Sequence, residues 1–410
     1  MKKLHTSTSL YLFFGICWLA YFSTYLGRLN FTASIPEIQV AENWSKASLG
    51  QIASAFFVAY GAGQLLSGFL ADRLPPHLLV GGGLLGSALL NVGMALSKDT
   101  GFMAVLWGLN GLVQSLAWAP LVRTVVDLTS GEHSARICLH LATTTPVGTL
   151  AAYGVGAVCI ALGNWRYSFW LGAVLMTAAS GIWLVGVGGL RRLADRDGIS
   201  DQVSPASKEK ICHPLWSVLP GLVPVGAAVL VHGLLKDGIL TWAPSCLQEN
   251  FGFSPAVSVS LTLIVPVVNL AGVYLAKMVQ VKWLHNEIST ALIFFGLCGG
   301  AGLIWLIGRG SLPVTLAMLL MTTTCMTGAS TMLLSLLPLR YRTLGLTATL
   351  TGLLNAITYL GSAVSGAGFG ALIEKGSWDA VLMMWCALSV MGACACAVGT
   401  RTIRRMVRWL

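Results

Sequence analysis

Charge is scarce in this chain. Of its 410 residues only 10% are Asp, Glu, Lys or Arg, and just 15 are acidic. A soluble domain carries roughly 25% charged residues, enough to cover a water-facing surface. This chain does not have them, so a soluble globular fold is excluded. CxxC pairs are absent too, and the ten cysteines lie scattered, nearly all in apolar runs. That pattern argues against metal and disulfide sites and for small residues packed between helices. No G-x-S-x-G, Walker loop, H-E-x-x-H or H-x-x-x-H pattern occurs. An enzyme is therefore not expected, nor a cofactor, and any uphill work would draw on a gradient.

What is abundant is hydrocarbon. Hydrophobic residues make up 55% of the chain and fall in twelve long apolar runs, from about 9–34 to about 378–399. Each is near the ~20 residues that cross a bilayer. The first run lacks a small-residue cleavage site and continues through Arg28 into Pro36, so it reads as a span rather than a cleavable signal. The expected fold is all-α and integral to the membrane, with twelve transmembrane helices, multi-pass in the cell (inner) membrane.

The net charge of +10 could suggest nucleic acid, but its placement does not. With twelve spans, five of the 25 Lys and Arg face one side (Lys46, Lys98, Arg166, Arg309, Lys375). Two more lie within spans, and the remaining eighteen share the side of the termini. This bias follows the positive-inside rule and puts both termini in the cytoplasm. No nucleic-acid partner is expected; the bilayer is, and the basic tail Arg401–Arg408 suits anionic lipid.

The longest hydrophilic stretch, Arg191 to His213, is charged and carries Ser and Pro. It reads as a cytoplasmic linker, 191–213, between two six-helix bundles, 1–190 and 214–410. Landmarks repeat at a near-constant offset in the two halves. Arg28 answers to Lys236, Ser45-Lys46-Ala47 to Ser254-Pro255-Ala256, and Gly163-Asn164-Trp165-Arg166 to Gly376-Ser377-Trp378-Asp379. A duplicated six-helix unit follows. Glycine runs at Gly81-Gly82-Gly83, Gly299-Gly300 with Gly302, and Gly366-x-Gly368-x-Gly370 mark close helix crossings.

Arg28 and Lys236 are the two cations left inside spans. A charge at the bilayer midplane costs at least ~2.5–3.5 kcal/mol, so each needs a partner or a task. Arg28 lies on a helical stripe with Tyr21 and Tyr25, whose hydroxyls can share an anion's oxygens. Its planar fork suits phosphate or carboxylate. Lys236 has His232 one turn before it and Asp237 beside it; Asp237 could carry a proton or neutralise the ammonium. The two cations together are expected to grip a small anion. His140 with Thr144, and Asn355 with Tyr359, sit one turn apart on apolar runs and are candidates to line the path. Tyr60, Gln64, Gln114, Trp118 and Asn269 are weaker ones, each as well explained by a bond between helices.

Between the second and third runs, Gly68-Phe69-Leu70-Ala71-Asp72-Arg73 resembles the G-x-L-x-D-R loop of the major facilitator superfamily. There Gly68 would allow close helix contact, with Asp72 and Arg73 as gating residues. Further motifs narrow the resemblance: Tyr25-x-x-Arg28-x-Asn30-Phe31, Leu109-Asn110-Gly111-x-x-Gln114-x-x-x-Trp118-x-Pro120-x-x-Arg123, Gly233-Leu234-Leu235-Lys236-x-Gly238-Ile239-Leu240-x-Trp242-x-Pro244, and Thr347-Ala348-x-Leu350-Thr351-Gly352-Leu353. In these the chain looks like the organophosphate:phosphate antiporters of that superfamily.

The resemblance implies the major facilitator fold of two pseudo-symmetric bundles that rock about a central site. It implies a small phosphorylated metabolite exchanged for inorganic phosphate, with the basic residues at Arg28 and Lys236 holding the phosphoryl group and Arg123 in a gating position. A monomer is expected. Departures weaken the sugar-phosphate assignment. Lysine stands at 236 where glycerol-phosphate carriers have arginine, Leu29 replaces a second basic residue, Ala119-Pro120 replaces a double proline, and the cavity histidine of the fifth helix gives way to Thr144 or Thr145. Fewer cations suggest an anion of lower charge than a phosphate dianion. A membrane sensor that binds the anion without moving it, or a proton-coupled carrier of another organic anion, are the alternatives.

Overall fold

The computed structural model describes residues 2–4, 6–141, 143–197, 199–200, 219–308, 310–344, 347–375 and 378–407. Twelve helical spans long and apolar enough to cross a membrane lie among them, from Ser7–Glu42 to Trp378–Thr402. The hydropathy runs and the spans agree in number, and the protein is a multi-pass membrane protein. Apart from a pairing of two-residue strands, β1 (Lys2–Lys3) with β2 (Ile199–Ser200), antiparallel, the described regular structure is helical.

Several spans are broken near their middles. The first is α1 (Ser7–Leu26) and α2 (Leu29–Glu42); the second is continuous, α3 (Lys46–Arg73), and so is the third, α4 (Pro76–Leu96). The fourth divides into α5 (Thr100–Ser115) and α6 (Trp118–Leu128), and the fifth follows α7 (Gly131–Leu141) as α8 (Thr144–Ala161). After α9 (Arg166–Asp197) and α10 (Leu219–Phe251), the eighth divides into α11 (Pro255–Leu261) and α12 (Ile264–Val279). Then come α13 (Glu287–Ile307), α14 (Leu312–Ser330), α15 (Thr347–Lys375) and α16 (Trp378–Val407). Proline accounts for two of the breaks. Pro120 and Pro266 have no N–H for the carbonyls of Leu116 and Thr262 four residues before, the points at which α5 and α11 end. No proline lies in the turn after Gly27, so the break in the first span needs another cause.

The chain packs as two compact units. One holds Met1–Ser34 and Ala62–Glu209, the other Ile35–Gly61 and Lys210–Leu410. In the first, Phe13, Cys17, Leu121, Val125, Trp183 and Val187 share a buried apolar core. Its β1 end is tied down by Lys3, whose ammonium donates to the carbonyls of Val126 at 2.6 Å and Thr129 at 2.9 Å. These carbonyls close α6, where the helix dipole favours a cation. The linker read from sequence begins as helix, because α9 runs on to Asp197; most of the rest, 201–213, lies outside the described residues.

Residues 35–61 join the second unit through specific bonds. Lys46 donates to Glu249 at 2.7 Å, and Trp378 Nε1 donates to the same Glu249 oxygen at 2.9 Å. The Ala47 N–H at the start of α3 donates to Glu374 at 3.0 Å, and the Ser54 hydroxyl accepts from Ala367 N–H at 2.8 Å. A Cβ on Gly50 would lie 2.2 Å from the carbonyl oxygen of Gly366, so only glycine allows that backbone approach. Within the glycine runs the outer members, Gly366 and Gly370, make such contacts and Gly368 does not.

The helices α10 and α15 cross more tightly still. A Cβ at Gly233 would stand 2.0 Å from the Thr358 oxygen, and one at Gly361 would stand 2.1 Å from the Leu230 oxygen. Both neighbours are backbone and cannot step aside. Gly233→Ala should therefore cost about 1–3 kcal/mol or more by overpacking. A lowered melting midpoint of the purified protein checks this; an unchanged one would mean that the helices part freely.

Candidate functional site

Arg28 sits in the two-residue gap between α1 and α2, and the gap has a polar cause. In a continuous helix the Gly27 carbonyl would accept from the Phe31 N–H. Here Phe31 N–H donates instead to Asn30 Oδ1 at 3.0 Å. The Gly27 carbonyl is taken by two side-chain amides, Asn110 at 2.9 Å and Asn91 at 3.1 Å. Asn30 Nδ2 donates to Asn91 Oδ1 at 2.7 Å, Ser87 to Asn110 Oδ1 at 2.5 Å, and Gln114 Nε2 to Ser87 at 2.9 Å. All five side chains are buried. One rung of the helix is thus replaced by a network from α4 and α5, and the turn that carries Arg28 is fixed by it. Gln114 belongs to this network rather than to a path lining. Of its members Asn91 and Ser87 were not singled out from sequence, although an asparagine amid Leu89, Leu90 and Val92 was signal enough.

Around Arg28 the first unit builds an aromatic wall. The guanidinium lies over the Tyr25 ring, 4.0 Å from its centroid, the geometry of a cation–π contact. Tyr21 meets Tyr25 edge-on at 5.7 Å and Trp118 at 4.7 Å. Tyr25 Oη is 2.7 Å from Thr145 Oγ1, and Trp18 Nε1 donates to Thr143 at 3.0 Å. The stripe of Tyr21, Tyr25 and Arg28 therefore faces the broken ends of the fourth and fifth spans. Thr144 turns the other way: it is buried and donates to the Leu141 carbonyl at 2.6 Å, so its neighbour Thr145 is the threonine that meets the tyrosine. His140 is exposed and touches the edge of Phe14, with centroids 6.0 Å apart.

In the second unit Lys236 stands mid-helix on α10, unlike Arg28. Its ammonium is 3.8 Å from Asp237 Oδ1. The other Asp237 oxygen is 2.5 Å from the hydroxyl of Ser362 on α15. His232 is wholly buried, and neither ring nitrogen has a hydrogen-bond partner. Its imidazole is thus closed off from solvent in this structure, one turn before Lys236. Tyr359 meets Tyr60 edge-on at 4.7 Å and stacks near Phe57 at 6.5 Å, and Asn355 is half-buried one turn earlier. Asn269 is a bond between helices, accepting from Thr324 at 3.3 Å.

Of the expected gating residues, Arg73 is exposed, and the side chain of Asp72 lies outside the described residues. Arg123 pairs with Asp127 at 3.2 Å along α6. A Cβ on Gly68 would meet no described atom within 4 Å. Among the described residues no group of three or more His, Cys, Asp or Glu is placed to hold a metal.

Comparison with known proteins follows the same lines. A family model described as Major Facilitator Superfamily matches residues 17–366. The glycerol-3-phosphate transporter of Bacillus subtilis (strain 168) is 23% identical over 412 residues, covering 94% of this chain and 90% of the relative. The membrane sensor protein UhpC of Escherichia coli (strain K12) is 33% identical, but over 97 residues, 24% of this chain and 22% of the sensor. Among solved structures, a bacterial homologue of the human lysosomal transporter Spinster superposes with a TM-score of 0.77. It is 12% identical, and 98% of this chain and 99% of that one are covered. This last likeness concerns the fold.

Proposed function

We propose that this chain, which belongs to the Major Facilitator Superfamily, is a secondary transporter of a small organic anion. In this reading the cargo is a phosphorylated metabolite exchanged for inorganic phosphate by alternating access, and Arg28 and Lys236 both hold the anion. One observation carries the proposal most: an intramembrane guanidinium on an aromatic stripe, at a helix break that five buried polar side chains maintain. An ionisable group inside a membrane span is expensive to place there and marks a functional site by default. The name of the Bacillus subtilis relative supports the phosphorylated cargo. Tyr21, Tyr25, Asn355 and Tyr359 would shape the site, and Arg73, Arg123 and Asp72 would act as the carrier changes state. By the placement of charge both termini would be cytoplasmic.

The test is counterflow. Proteoliposomes loaded with inorganic phosphate should take up labelled glycerol 3-phosphate, or another labelled organic anion, against its gradient, and unloaded ones should not. Uptake that needs no internal anion but carries protons would shift the reading to proton coupling. The second reading, a sensor, rests on the likeness to UhpC over 97 residues. It predicts anion binding without counterflow.

A further inference from the structure

We propose that Asp237 is a specificity-determining residue that restricts the carrier to anions bearing a single negative charge. This inference rests on the anion-holding role of Lys236 proposed above and adds a substrate class to it: sulfonates, carboxylates or singly ionised phosphate esters, in preference to phosphate dianions.

Residues adjacent in sequence point about 100° apart on a helix and do not ordinarily face one another. The 3.8 Å approach of Lys236 Nζ to Asp237 Oδ1 means that the lysine stem folds back toward the carboxylate. The two partners are not held alike. Asp237 is the more buried, at 14% side-chain exposure against 36% for the lysine. Its second oxygen is tied to α15 through Ser362, itself fully buried and 3.0 Å from the Thr358 carbonyl. Lys236 has four rotatable bonds and is the mobile member. When an anion draws the ammonium away, the carboxylate stays where Ser362 fixes it.

A bound anion therefore meets not a bare cation on α10 but a cation with an immobile negative charge beside it. The only titratable groups within two turns on that helix are His232, buried and without a partner, and Lys236 itself; α15 contributes the Ser362 and Thr358 hydroxyl groups and no charge at this level. Whatever Arg28 supplies, α10 and α15 add no net positive charge at this level. A first negative charge on the ligand replaces Asp237 as the partner of Lys236. A second one is left facing the carboxylate in a medium of low dielectric, where like charges within several ångströms repel strongly. A site lined by two unopposed cations would favour the dianion; this one should reject it.

The experiment compares two isosteric probes on purified full-length protein. Propanesulfonate carries one negative charge at every pH used, whereas propylphosphonate carries one in mild acid and two in mild alkali. Binding is read as the probe concentration giving half the maximal rise in melting temperature. In mild alkali the wild type should require at least tenfold less sulfonate than phosphonate, and in mild acid the gap should close. In Asp237→Asn, which keeps the Ser362 contact and loses the charge, the alkaline gap should collapse. A wild type that prefers the phosphonate dianion, or treats the two alike in alkali, overturns the inference and leaves the anion-carrier reading standing. An Asp237→Asn variant that folds and keeps the gap also overturns it. If neither probe shifts the melting of the wild type at any concentration, the anion reading itself fails and this inference with it. The wild-type comparison does not depend on the variant folding.

Discussion

Arg28→Lys should abolish uptake in proteoliposomes, although the charge is retained. A guanidinium offers an anion two parallel donors in a rigid plane; an ammonium offers a point charge on a flexible stem. The substitution also removes the flat cation that lies 4.0 Å over the Tyr25 ring, so the head is no longer steered along the stripe. Losing one charge-assisted hydrogen bond costs about 1.5–3 kcal/mol, or about tenfold to 150-fold in affinity. Loss of orientation adds to this in the transport rate. Lys236→Ala should be at least as severe, because it leaves Asp237 as an unpaired carboxylate facing the incoming anion. Both variants should elute and melt as folded protein. Full uptake by either one would remove that residue from the site.

The second large effect lies away from the ligand. Asn91→Ala combined with Asn110→Ala strips both amides from the Gly27 carbonyl. Single hydrogen bonds between membrane helices are worth little, averaging about 0.6 kcal/mol, since the separated helices find other partners. Either single variant should thus be mild. The double variant is different in kind. The Gly27 carbonyl has lost its own helical donor to Asn30, so with both amides gone it is orphaned in an apolar core, and the Asn30 amide and the Ser87 hydroxyl lose partners too. At roughly 1–3 kcal/mol for each stranded group, the loss should reach at least about 3 kcal/mol and exceed the sum of the singles. Thermal melting checks it. A double variant no worse than the two singles added would show that the break is held by packing, and that the amides are passengers.

Much of the architecture was legible in the sequence because membrane helices announce themselves. The twelve runs of apolar residues that became the spans need no tertiary information. The same rule of expense that pointed to Arg28 and Lys236 works for any polar group amid Leu and Val, and it would have caught Asn91 had it been applied to amides as strictly as to charges. What sequence could not give was direction. Thr144 and Thr145 are equivalent as letters, yet one bonds back to the Leu141 carbonyl at the end of α7 and the other meets Tyr25. His232 shares a helix face with Lys236 by spacing, yet its imidazole is wholly buried while the lysine side chain is 36% exposed. The partnership of 35–61 with Glu249, Glu374 and α15 depends on long-range bonds that no local pattern encodes.

Equilibrium binding of labelled inorganic phosphate to the purified protein, followed by scintillation proximity, is the most direct measurement of whether two intramembrane cations hold one anion. Binding to the wild type should be saturable, and Arg28→Gln and Lys236→Gln should each weaken it by up to about two orders of magnitude, the upper end of the ~1.5–3 kcal/mol that a charge-assisted hydrogen bond contributes. Wild-type affinity retained in either variant would contradict the account.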